Sequence, residues 1–177
     1  NVRVFNCGDI MYWDDCWLFI PIYDSINVIT YNDKDMESHQ YLTIEENGKY
    51  GAARISGFIK NDIESNSNAA TIVLSSGDMF QGSAISNHTR GEIVVDIMNE
   101  IGYDAMTIGN HEFDWGLETV LKYNDGDQSN GEANFPFLGC NILDRRTNTL
   151  PIGVEPYVVV EEKGIKIAKV LLHDGLG

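Results

Sequence analysis

Basic side chains are scarce: 12 Lys and Arg stand against 27 Asp and Glu, a formal charge of −15 at pH 7. A nucleic-acid polymer or an anionic membrane surface requires a basic face, so neither fits as a partner. A small phosphate ligand is not excluded, because bound cations invert the local field. Long apolar runs are missing too. WLFIPI (17–22) is far too short to span a bilayer, which argues against membrane insertion of this chain. Cysteine is sparse: Cys7, Cys16 and Cys140 have neither zinc-site spacing nor an even count. Cys7 and Cys16 could pair in an extracellular chain, but spacing alone does not decide it. No internal repeat or low-complexity tract is evident.

What remains is enough for a globular domain: 177 residues, 43% of them hydrophobic, suit a single core. VRVF (2–5) alternates as a strand ending near Asp9. The stretch from about 11 to 48 lacks periodicity and reads as a long irregular excursion. In 51–63, Ile55, Phe58 and Ile59 fall at helical spacing. TIVLSSGD (71–78) is an unalternating apolar run, as expected of a strand covered on both faces. Residues 91–101 place Ile93, Val94, Ile97, Met98 and Ile101 on one helical face, and DAMTIGN follows as a second buried strand. FPFLGCN (135–141) reads as a further strand, and 157–171 as a hairpin turning at Lys163-Gly164.

A strand–helix–strand unit fixes geometry. Parallel strands joined by a crossover helix run the same way, so their C-terminal ends lie at one sheet edge, where open α/β sheets bind ligands. Three polar groups fall at such ends: Asp9, Asp78 and Asn110, with His111 and Asp114 close behind. Asp78 and Asn110 are 32 positions apart (110 − 78), one crossover unit. Two carboxylates and an amide oxygen suit a divalent cation, since carboxylates are hard and anionic and Asn adds coordination without charge. Two such ions about 3.5–4 Å apart can clamp the attacking and leaving oxygens of a phosphoryl displacement. His111 points away from Asn110, towards substrate, and Asp114 is spaced to orient its imidazole and favour its protonated form. The plainer reading of Asp78 and Asn110 is turn chemistry, and that of Asp114 is a helix N-cap. Glu112 reads as structural or solvated.

SSGDMFQGS followed by IGNHEFDWG resembles the calcineurin-like metallophosphoesterase superfamily, and the spelling GDxxQGS with GNHEFDxG resembles its 5′-nucleotidase branch. The resemblance implies an α/β fold of two β-sheets packed face to face and flanked by helices, a four-layer α/β/β/α sandwich. This chain would be an incomplete piece of it: residues 1–177 would be the N-terminal portion of the catalytic domain, without the C-terminal nucleotide-binding domain. It implies two divalent metal ions (Zn, Mn, Mg or Fe), with Asp78 as the bridging ligand, Asn110 as a ligand of the second ion and Asp9 as a ligand of the first. His111 and Asp114 resemble the pair that stabilises the transferring phosphoryl or the leaving group. The implied substrate is a nucleotide or other small phosphate ester, and the implied location is secreted, periplasmic or on the cell surface.

Two departures stand against full activity. The family's first motif, Asp-x-His, reads Asp9-Ile10-Met11 here, and a thioether is a poor ligand for hard or borderline ions. No Gly-His-x-His motif follows, and His173 is the only histidine after His111. The expected function is metal-dependent hydrolysis of a nucleotide phosphate ester, 5′-nucleotidase-like, with this chain a truncated part of weak or no activity. A non-catalytic chain keeping the fold and a weak metal site is one alternative; within the enzyme class, a cyclic-nucleotide phosphodiesterase or a nucleotide-sugar or polyphosphate hydrolase is another.

Overall fold

The computed structural model describes residues 2–7, 26–31, 39–42, 52–82 and 84–170; in the first three segments, and at 52 and 54, it describes the backbone alone. The chain begins with β1 (Val2–Cys7), β2 (Ile26–Tyr31) and β3 (His39–Leu42), followed by α1 (Ala52–Ser65) and β4 (Ala70–Ser75). Two helices come next, α2 (Ala84–Thr89) and α3 (Glu92–Ile101), then β5 (Ala105–Thr107) and the short α4 (Leu117–Leu121). The strands β6 (Phe137–Leu138) and β7 (Val154–Glu155) precede the hairpin of β8 (Tyr157–Glu162) and β9 (Ile165–Val170).

Seven strands form one sheet in the order β3-β2-β1-β4-β5-β6-β7. β1, β4, β5, β6 and β7 run parallel, while β2 and β3 add antiparallel at one edge. Two strands therefore lie inside the stretch expected to be irregular, which corrects that reading. INVITY is rich in β-branched residues, but it is bounded by acids and tyrosines that hide its pattern, and only pairing with β1 makes it a strand. The short helix α2 and the two-residue β7 were likewise not visible in the sequence pattern.

The two faces of the sheet carry separate apolar clusters. On one face Val73, Met106 and Phe137 pack with Ile59 of α1, Val95, Met98 and Ile101 of α3, and Phe80 and Tyr123. Within α3 the most buried positions are Val95 and Met98, each 1% exposed, whereas Ile93 is only partly covered; the helix is rotated slightly from the face its periodicity suggested. On the opposite face Ile72, Leu74, Ala105 and Leu138 meet Val158, Val160 and Ile167 of the hairpin. The unalternating apolar run of β4 follows from this double burial. Lys163 and Gly164 turn the hairpin with φ of 52° and 76°, as a two-residue turn of the primed type requires.

The molecule is thus a mixed α/β fold, with helices against one face of a largely parallel sheet and a separate antiparallel sheet against the other. The second helical layer of a four-layer sandwich is not represented among the described residues. None of the described helices is long and apolar enough to cross a membrane.

Candidate metal and phosphate site

The parallel register aligns Cys7 with Ser75, Ser75 with Met106 and Met106 with Phe137, so the C-terminal ends of these strands share one edge. The loop after β4 carries Asp78 and the loop after β5 carries Asn110 and His111. These loops touch backbone to backbone. A Cβ on Gly77 (φ 101°) would lie 2.6 Å from the Gly109 nitrogen, and one on Gly109 would lie 2.4 Å from Asp78 Oδ1. Only glycine at both positions allows this approach. Asp78 itself adopts φ 56°, a left-handed conformation that short polar residues tolerate best.

The approach places Asp78 Oδ1 to accept the His111 backbone N–H at 2.8 Å. Residues 111–113 form a single 3-10 turn, with Phe113 partly buried against the core. That turn brings His111 Nδ1 to 2.9 Å from Asp114 Oδ2, with both side chains around two-fifths exposed (42% and 38%). The hydrogen bond to Asp114 raises the His111 pKa above its ordinary value, with smaller upward contributions from the charges of Asp78, Asp114 and Glu112 opposing partial burial. With Nδ1 committed to Asp114, Nε2 is the ring nitrogen left for a substrate. Asp114 is not the N-cap of α4; Gly116 occupies that place, with no side-chain cap.

Glu112 is the residue whose weight the sequence understated. It is fully buried. Its Oε2 accepts the N–H groups of Asp78 at 2.8 Å and Gly109 at 2.7 Å, and its Oε1 those of Met79 at 2.8 Å and Phe80 at 3.2 Å. Burial pushes this carboxyl up from its ordinary value, while the N–H groups of Asp78, Gly109 and Met79 pull it down and the Asp78 charge raises it. All four partners are donors, so a proton on either oxygen would face an N–H; the pattern is that of a carboxylate. Each such N–H left unpaired in the interior costs about 1–3 kcal/mol. A glutamate at that spot carries no sequence signal beyond its place inside the GNHEFD string.

The structure therefore brings Asp78, Asn110, His111 and Asp114 together on adjacent loops at one sheet edge. Asp9, Met11 and His173 lie outside the described residues. Asp78 and Asn110 supply carboxylate and amide oxygens, a hard donor set that suits Mg, Mn, Zn or Fe(II), and the two glycines keep side-chain bulk out of the junction. Among the described residues no group of three or more His, Cys, Asp or Glu converges as a metal site. The donors described fit part of an ion's coordination sphere. Elsewhere, His88 is exposed on α2, and Cys140 is partly buried.

Comparison with protein-family models finds no match. Among curated proteins, the chain is similar to a 5′-nucleotidase of Vibrio cholerae, 39% identical over 124 residues that make up 68% of this chain and 21% of that protein. It is also similar to protein UshA of Yersinia enterocolitica, 34% identical over 159 residues, 88% of this chain and 26% of that protein. The chain belongs to the 5′-nucleotidase family of metallophosphoesterases. Among solved structures, a 5′-nucleotidase precursor from Thermus thermophilus shares the fold, with a TM-score of 0.62 at 20% identity, over 97% of this chain and 28% of that one. The chain spans about a fifth to a quarter of the length of the Vibrio and Yersinia proteins.

Proposed function

We propose that the protein is a metal-dependent phosphoesterase that hydrolyses the phosphate ester of a nucleotide, with Asp78, Asn110 and Asp9 as metal ligands and His111 with Asp114 as the catalytic pair. The observation that carries this reading is the convergence of Asp78 with the Asn110–His111 turn at one sheet edge, through the Gly77–Gly109 contact and the Asp78–His111 hydrogen bond. Two divalent ions, when bound, supply Lewis-acid stabilisation of the phosphoryl oxygens and a nucleophile at neutral pH. The chain's own residues do the rest. Asp114 holds the His111 imidazole in one orientation and favours its protonated form, so that Nε2–H can donate to a phosphoryl or leaving-group oxygen as negative charge builds there. A 5′-nucleoside monophosphate is the proposed substrate, in keeping with the printed names of the relatives.

The lengths of the relatives support reading this chain as the N-terminal portion of the catalytic domain, partnered by a C-terminal domain that binds the nucleoside. A secreted, periplasmic or cell-surface location belongs to the same reading.

The test is phosphate release from AMP and from p-nitrophenyl phosphate with added Mn²⁺, Zn²⁺ or Mg²⁺. Turnover is expected to exceed that of His111→Ala. Equal, background-level release by both proteins would sink the enzyme reading. Met11, standing where the resembling family has a histidine, favours a second reading: a fold that keeps one weak metal site without catalysis. Calorimetric metal binding without turnover is the result that would select it.

A further inference from the structure

We propose that Glu112 is a positioning residue for this reaction, the carboxylate that holds the Asp78 loop and the Asn110–His111 loop in one frame while touching no substrate. This role rests on the proposed functions of Asp78, Asn110 and His111.

Its geometry is specific. Oε2 takes one N–H from each loop, Asp78 at 2.8 Å and Gly109 at 2.7 Å, so a single atom spans the junction. Oε1 takes the next two N–H groups of the first loop, Met79 and Phe80, and so sets the direction in which that loop leaves the strand. Asp78 sits at φ 56°, a conformation the backbone does not favour unaided. Its N–H is held by Glu112, and its Oδ1 by the His111 N–H one residue away in sequence from that same glutamate. Glu112, Asp78 and residues 109–111 thereby close a ring of hydrogen bonds. Full burial keeps water from replacing the carboxylate. A displaced ring would carry the Asp78 carboxylate and the Asn110–His111 turn apart. Reacting groups held about 1 Å off their productive geometry lose turnover on the order of a hundredfold.

Glutamine cannot reproduce the site. With one oxygen and one NH2, it satisfies at most one of the two pairs of N–H groups and opposes the other with like donors. Aspartate keeps both acceptor oxygens on a side chain one methylene shorter.

The test measures Glu112→Gln, Glu112→Asp and the remote core variant Val95→Ala in the intact protein. The readouts are amide hydrogen exchange, Mn²⁺ affinity, and kcat and KM for AMP, all well below each variant's Tm. In the wild type the amides of Asp78, Met79, Phe80 and Gly109 are expected to exchange with one common opening free energy. Glu112→Gln should expose at least two of them and lower kcat about a hundredfold, with KM moving less than about threefold. Glu112→Asp should recover part of both, and Val95→Ala should keep wild-type kcat. Four amides opening independently in the wild type would overturn the proposal. So would wild-type kcat and Mn²⁺ affinity in Glu112→Gln, or a loss that merely tracks its unfolded fraction. If the variants fail to fold, the wild-type exchange pattern still decides whether one carboxylate joins the loops. A wild-type protein that neither binds Mn²⁺ nor hydrolyses AMP sinks the functional reading itself, whereas an active enzyme indifferent to Glu112 sinks this inference alone.

Discussion

Replacing Gly109 by alanine adds one methyl group at the junction of the two loops, and its consequences can be worked from the structure. The new Cβ would lie 2.4 Å from Asp78 Oδ1, 2.7 Å from Asp78 N and 3.0 Å from Asp78 Cγ. Ordinary non-bonded carbon contacts sit at about 3.5 Å, so something must move by about 1 Å. The carboxylate oxygen could rotate aside only by giving up the His111 N–H it accepts. The Asp78 nitrogen cannot retreat without moving the 77–78 backbone, which Glu112 holds. Overpacking of this kind costs about 1–3 kcal/mol. The cost to function should be larger in proportion, with turnover falling about a hundredfold because Asp78 is displaced from Asn110 and His111. Mn²⁺ binding by calorimetry, kcat on AMP and thermal unfolding together measure both effects. Gly57→Ala is the matching control: that glycine lies in α1 with nothing within 4 Å of its added Cβ. It should stabilise the helix by roughly 0.5–1 kcal/mol and leave the site unchanged. A Gly109→Ala variant with wild-type metal affinity and turnover would refute the claim that the loop contact sets the site.

Asp114→Asn should lower the His111 ring pKa towards its ordinary value, read by NMR titration, since the Asp114 hydrogen bond is the main cause of the rise. Because the folded value is raised, the pair's stabilisation is present below the ordinary histidine pKa and fades as pH climbs through the folded one; Asp114→Asn should flatten that window. Lys169, largely buried with Nζ 3.1 Å from the Ser75 carbonyl, has its pKa pulled down to about 7 from 10.5 by desolvation. Between these values the unfolded chain binds more protons, so wild-type stability should rise from pH 7 towards pH 10. Lys169→Met should remove that slope and gain most below pH 7, as denaturant midpoints at several pH values would show. Phe80→Ala should cost about 3–5 kcal/mol, because the ring is fully buried and meets Tyr123 and Phe137 edge-on with centroids 5.8 and 6.3 Å away. A calorimetric loss below about 1 kcal/mol would contradict the packing described.

Much of this arrangement was legible from residue order, because its signals are local. The helical spacing of Ile55, Phe58 and Ile59 and the Lys163-Gly164 turn each depend on a few neighbouring residues, and the structure has α1 and the hairpin where they were expected. The strand–helix–strand pattern around α3 also placed Asp78 and Asn110 at one edge, since parallel connection leaves little choice of direction. The antiparallel strands β2 and β3 were hidden for the opposite reason. Their hydrogen bonds run to other strands, β2 to β1 and β3 to β2, and pairing, more than pattern, makes them strands.

The amino-acid sequence alone determined the cast of the site: acidic, amide and imidazole groups between glycines, after apolar runs. Tertiary structure alone decided how they are held. The same glutamate would be a solvated surface charge in another setting; here two loops deliver four N–H groups to it in a dry interior. Likewise Lys169 is an ordinary amine until the hairpin folds over β4 and strips its water. Hydrogen-bond partners and desolvation are properties of what surrounds a residue, and the chain acquires them only when distant segments meet.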